Sequence, residues 1–196
     1  MSSLSMIREK RPLVHCVTNL VAAHDCASLL LAVGASPIMA VAPQEAAEIA
    51  ASSAALVLNT GTPTQERFEV CLRCGQSAQG PVVLDPVGIG ASAWRLAWVE
   101  RLLDAFTPTI LRLNLGEALA LLTGERAGRG VDSGAEATMD QRRWAAADLA
   151  VKYRTTVLLT GPVDIITRGG VLYEAEGGSP RLAGITGSGC MLSALC

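Results

Sequence analysis

Short, nearly continuous apolar runs alternate along the chain with stretches whose apolar residues recur at three- and four-residue spacing. The first pattern predicts strands buried on both faces and the second predicts amphipathic helices. The strand runs are Pro12–Val17, Ser36–Ala40, Ala55–Asn59, Val82–Pro86, Thr109–Leu113 and Thr156–Thr160. The helical stretches are Asn19–Val33, Gln44–Ser53, Thr64–Ala78, Ser92–Ala105, Leu115–Leu122 and Thr138–Tyr153. Gly34 stands where a helix needs a left-handed stop, and Gly80-Pro81 and Thr123-Gly124 punctuate two others. This alternation predicts an α/β fold with a mainly parallel central sheet flanked by helices. After Thr160 the rhythm changes. Val163–Thr167 and Val171–Ala175 flank Arg168-Gly169-Gly170, which predicts a late β-hairpin. A further run, Pro180–Ile185, leads into Thr186-Gly187-Ser188-Gly189-Cys190 and then the apolar Met191–Cys196. Gly124–Ala135, rich in glycine and charge, is expected to be a mobile surface loop. One domain over residues 1–196 accounts for the pattern. The chain stops within what reads as the first turns of a helix, so covering structure after Cys196 is expected.

Composition narrows the function classes. A chain of 196 residues suits one domain burying about 70% of its unfolded surface. No run approaches the roughly 18 to 20 apolar residues that span a bilayer. Behind Arg8, Lys10 and Arg11 there is no apolar export segment, so a cytoplasmic location is expected. Net charge is −2 and aromatic residues make up 4%, a poor match to a nucleic-acid surface. The six cysteines lie in apolar contexts and read as buried thiols in a reducing compartment. Cys71 and Cys74 form a CxxC, but on a helical pattern and without a second ligand pair. The two histidines, His15 in a strand pattern and His24 in a helical one, have no metal-site spacing and are expected in the core or at an interface.

Ligands in open α/β sheets bind beyond the carboxyl ends of the strands, where this chain concentrates its chemistry. Asn19, Met39, Asn59-Thr60-Gly61-Thr62, Asp85-Pro86-Val87-Gly88, Arg112-Leu113-Asn114 and Thr160-Gly161 end or follow consecutive strand runs. Gly187 and Gly189 free the backbone to turn its N–H groups inward at the start of a helix. That arrangement suits the charge on a phosphoryl group in transfer, and equally a plain glycine turn. Asn114 with Glu117 three residues on predicts a capping box, and Glu117 could also order Mg²⁺ around ATP phosphates. Asp85 is the second acidic candidate. Arg112, inside an apolar run, calls for a phosphate or carboxylate partner.

These residues carry a resemblance. Pro12–Asn19, Gly34–Ala40, Val82–Gly88, Gly130–Ser133, Leu159–Asp164 and Thr186–Cys190 resemble, in order, the hydroxyethylthiazole kinase family of the ribokinase-like superfamily. Cys190 marks the resemblance, because relatives elsewhere in that superfamily carry Asp there. It implies phosphorylation of 4-methyl-5-(2-hydroxyethyl)thiazole by ATP with Mg²⁺, a salvage step toward thiamine. It also implies a homotrimer with active sites between subunits. By position, Met39, Gly187 and Asn19 would hold the thiazole alcohol, and Arg112 and Thr160 would contact ATP. Asp85 and Glu117 would organise the metal, while Cys190, with Gly187 and Gly189, would carry the chemistry. The apolar stretch Ala22–Val33 fits a subunit interface or a central helix. Two alternatives stay open: a kinase of another small alcohol, of pyrimidine or pyridoxal type, and a thiazole-binding trimer with weak turnover.

Overall fold

The computed structural model describes residues 3–124 and 138–196. These residues separate into two compact units, one running from the first described residue to Asp85 together with Ala183–Cys196, the other spanning Pro86–Leu182. The first unit begins with helix α1 (Ser3–Lys10) and holds strands β1 (Leu13–Val17), β2 (Ser36–Ile38), β3 (Ala55–Asn59) and β4 (Val82–Asp85). These pair in parallel in the order β2-β1-β3-β4. Its other helices are α2 (Ala23–Val33), α3 (Ala46–Ser52), α4 (Gln65–Ser77) and α8 (Ser188–Leu195). β1, β3 and β4 are buried almost throughout, as their unbroken apolar sequences require. On one face Val14, Cys16 and Val57 pack with Ala22, Cys26 and Leu30 and with Ala194 of α8. Leu56 and Leu58 alternate onto the opposite face, where α4 packs against β3.

The second unit holds β5 (Ile110–Asn114), β6 (Thr156–Thr160), β7 (Val163–Arg168) and β8 (Val171–Glu176), in that spatial order, with helices α5 (Ala93–Ala105), α6 (Leu115–Thr123) and α7 (Met139–Tyr153). β5 and β6 are parallel, and β7 and β8 turn antiparallel as the predicted hairpin. The two parallel strands depart from the expectation of burial on both faces. Leu111, Leu113, Val157 and Leu159 are completely buried, whereas Ile110, Arg112, Leu158 and Thr160 are half-buried. α6 and α7 cover the first set. The alternation of two thus reappears where one face of a sheet is less covered.

Three boundaries were misjudged by pattern alone. Leu20–Ala22 form a turn rather than the start of α2, because the Asn19 side chain accepts the backbone N–H groups ahead of it. Met39 lies just beyond β2 instead of ending it, and the run Pro180–Ile185 yields a 3₁₀ turn over Pro180–Gly184. Gly34 does terminate α2, at φ 101°, donating back to the carbonyls of Leu30 and Leu31. Of the expected loop Gly124–Ala135 only Gly124, the left-handed cap of α6, falls within the described residues, and Gly130–Ser133 lies outside them.

Candidate active site

In the first unit the polar residues that end the strands join in one buried hydrogen-bonded chain. β3 and β4 stand in register so that Asn59 faces Asp85, and Asn59 Nδ2 donates to Asp85 Oδ2 at 2.8 Å. Asn59 Oδ1 accepts from Asn19 Nδ2 at 2.9 Å, and that same Nδ2 lies 3.1 Å from Cys190 Sγ. Ser193, one turn beyond Cys190 on α8, donates its hydroxyl to Asp85 Oδ2 at 2.7 Å. Asp85 and Ser193 have no exposed surface, and Cys190 is half-buried. Sequence reasoning singled out Asn19, Asp85 and Cys190 and gave no separate role to Asn59 or Ser193. The signal was there: Asn59 and Asp85 end neighbouring apolar strands, and Ser193 is the one hydroxyl in Met191–Leu195.

Gly187 caps α8 in the left-handed region at φ 80°, and a Cβ there would lie 3.0 Å from that of Ala22. Only glycine meets both conditions without strain. The positive end of α8 therefore opens at Ser188–Cys190, beside the thiol. Met39 packs half-buried against the cluster that also receives Cys190. The backbone next to it is pinned: His15 Nε2 donates to the Ala40 carbonyl at 2.7 Å. A carbonyl only accepts, so the proton sits on Nε2, and Nδ1 is buried with no hydrogen-bond partner among the described residues. Burial holds the His15 imidazole below the usual histidine range, against the opposing pull of the Ala40 bond and of Glu45. Cys71 and Cys74 are buried on α4, their thiols pushed up to about 12 and about 11 by that burial, which suits inert core residues.

In the second unit Asn114 and Thr160 stand in register at the carboxyl ends of β5 and β6. Arg112, for which a phosphate or carboxylate was expected, donates from Nη2 to the Thr160 hydroxyl at 2.8 Å. Asn114 and Glu117 form the predicted capping box, with both bonds at 2.9 Å. The other carboxylate oxygen of Glu117 accepts the N–H of Gly88 at 2.8 Å, so this one side chain holds both a helix start and a left-handed turn. The turn after Thr160 is braced from below by Arg142, a residue the sequence did not flag. Its buried guanidinium fills the space a Cβ on Gly161 would take, and Nη2 donates to the Val163 carbonyl at 3.1 Å. Gly161 N–H donates in turn to Asp164 at 2.9 Å.

Residues 4–196 match the model of the hydroxyethylthiazole kinase family. The chain belongs to the hydroxyethylthiazole kinase family. Among its relatives, the hydroxyethylthiazole kinase of Herpetosiphon aurantiacus is 47% identical over 192 residues, covering 96% of this chain and 70% of that protein. The one from an Exiguobacterium species is 42% identical, covering 96% of this chain and 72% of its own length. The solved hydroxyethylthiazole kinase of Pyrococcus horikoshii superposes with a TM-score of 0.86 at 35% identity, over 98% of this chain and 72% of that one. A pyridoxal kinase of Staphylococcus aureus, solved with pyridoxal, matches with a TM-score of 0.64 at 14% identity, which shows a shared fold. The fold of this hydroxyethylthiazole kinase family member is ribokinase-like, mainly parallel, with the late hairpin at β7 and β8.

Proposed function

We propose that the chain transfers the terminal phosphoryl group of ATP to the hydroxyl of 4-methyl-5-(2-hydroxyethyl)thiazole, in thiamine salvage. Family membership over residues 4–196 carries this reading. Phosphoryl transfer through a loose transition state is served mainly by positioning and charge stabilisation. The start of α8, with Gly187 and Gly189, supplies backbone N–H groups and a helix dipole for the charge on the phosphoryl oxygens. Cys190 holds the hydroxyl and assists its deprotonation weakly, since an ordinary thiol is a mediocre base at neutral pH. Met39 and Asn19 frame the thiazole, while Arg112 and Thr160, already hydrogen-bonded to each other, contact ATP.

Mg²⁺ fits the donor set in a particular way. Among the described residues no group of three or more His, Cys, Asp or Glu side chains gathers as a metal cage. The oxygens of Glu117 accept two backbone N–H groups, and Asp85 Oδ2 accepts from Asn59 and Ser193. Mg²⁺ customarily keeps several waters and one or two carboxylates alongside substrate phosphates. By the family resemblance, Asp85 in the first unit and Glu117 in the second are the carboxylates that would hold such a hydrated ion, which would offset the negative charge of the phosphates when bound. Exposed Leu20, Val21 and Leu31 at and before α2 support the homotrimer. Among the described residues no helix is long and apolar enough to cross a membrane; a cytoplasmic location is part of the proposal.

Coupled ADP release by the purified chain, with ATP, Mg²⁺ and hydroxyethylthiazole, tests the reading against a control without thiazole. Thiazole-dependent ADP is expected. A folded chain that binds thiazole and releases no ADP would overturn the kinase assignment, and equal turnover of pyridoxal would overturn the acceptor.

A further inference from the structure

The directions of the hydrogen bonds that link Asn19, Asn59 and Asp85 behind Cys190 can be deduced. An asparagine amide has one end that accepts and one that donates, and its partners decide which is which. Asn19 Oδ1 receives the backbone N–H groups of Val21 and Ala22, each at 3.0 Å, and these can only donate. Its Nδ2 must then face Asn59 and Cys190. Asn59 Oδ1 takes that bond together with the N–H of Gly61 at 3.0 Å, leaving its Nδ2 for the Asp85 carboxylate. Ser193 donates to the same carboxylate oxygen from α8, the helix that carries Cys190.

Space enforces the same arrangement. Gly61 is not in the left-handed region, yet a Cβ on it would lie 2.8 Å from Asn19 Nδ2, so the glycine is there to admit the amide. Asn19 and Asn59 are 5% and 2% exposed, so a wrong rotamer could not turn to water for its bonds. We infer that Asn59 is a positioning residue for Cys190, acting through Asn19, with Asp85 and Ser193 fixing the frame. The sulfur therefore receives a hydrogen bond from the Asn19 amide, which holds it in place at the start of α8. A donor aimed at sulfur favours the thiolate over the thiol. The kinetic part of this inference rests on the phosphoryl-transfer reading; the effect on the thiol does not.

The test measures alkylation of Cys190 by iodoacetamide in the full chain, resolved by mass spectrometry, with exposed Cys196 as internal reference. One hydrogen bond to a charged group converts to roughly a tenfold change. Asn59→Ala is expected to slow Cys190 about tenfold relative to Cys196. Asn19→Ala should do the same, and the double variant should lose no more, because the two side chains act in series. Ser193→Ala, a smaller change that keeps the chain folded if Asn59→Ala does not, should slow Cys190 about threefold. In the kinase assay Asn59→Ala should lower kcat about tenfold and change KM for the thiazole less than threefold. Alkylation within twofold of the unsubstituted chain, or additive losses in the double variant, would overturn the inference. Absent turnover in the unsubstituted chain, with the alkylation pattern intact, would count against the kinase reading alone.

Discussion

At Cys190 two forces act on one sulfur atom. The start of α8 and the amide of Asn19 both favour negative charge there, while half-burial opposes it. In the proposed transfer, a base so placed would contribute less than groups that neutralise the phosphoryl oxygens. Cys190→Ala should accordingly lower kcat by about ten- to a hundredfold, at or below the lower bound usual for a general base. Chelation of the proposed Mg²⁺ with EDTA should cost far more, and parallel kcat measurements under the two conditions check that ranking. The candidate residues could be picked out in advance, Asn19, Asp85 and Cys190 in the first unit and Arg112, Glu117 and Thr160 in the second, since they end or follow apolar runs. What could not be read was polarity between elements. Asn59 becomes meaningful only when β3 and β4 come into register, and Arg142 only when α7 slides its guanidinium under Gly161.

Among the elements, β1 carries a buried titratable group into the core of the first unit. His15 is neutral and bonded to the Ala40 carbonyl, so its strand also secures the segment containing Met39. Its folded pKa lies below the unfolded value of 6.5, so the unfolded chain binds a proton that the folded one resists. The stability this neutral imidazole allows is complete above pH 6.5 and is lost as pH falls from there toward the folded pKa. Thermal melts between pH 7.5 and 5 should show Tm declining below about 6.5. In His15→Gln, which keeps a donor for Ala40 and removes the titration, that decline should be shallower. Element types and order were legible because apolar periodicity and glycine stops agree along the chain. α1 was not foreseen, since Ser3–Lys10 is mostly exposed and buries no residue, leaving little periodic signal. The strand content of β5 and β6 was clear, but which side of them is less covered depends on where helices pack.

For the whole molecule, the outermost strands of the two units differ in how they meet solvent. β2 is three residues long and contains Pro37, a short edge with a missing donor. β8 is six residues long, with Val171 and Tyr173 53% and 66% exposed, and its outward charge comes from Glu174 and Glu176. Glu174 is engaged by Arg143 at 2.6 Å, so among the described residues Glu176 is the carboxylate at this edge without a salt bridge. Glu176→Val should leave the first-order melt nearly unchanged and raise light scattering of concentrated samples severalfold over days. With a net charge of only −2, little general repulsion backs up that single side chain. The chain would then age in storage from residues 171–176 outward, its shelf life set by salt and buffer rather than by its melting temperature, and a short extended peptide matched to this strand would act as a preservative.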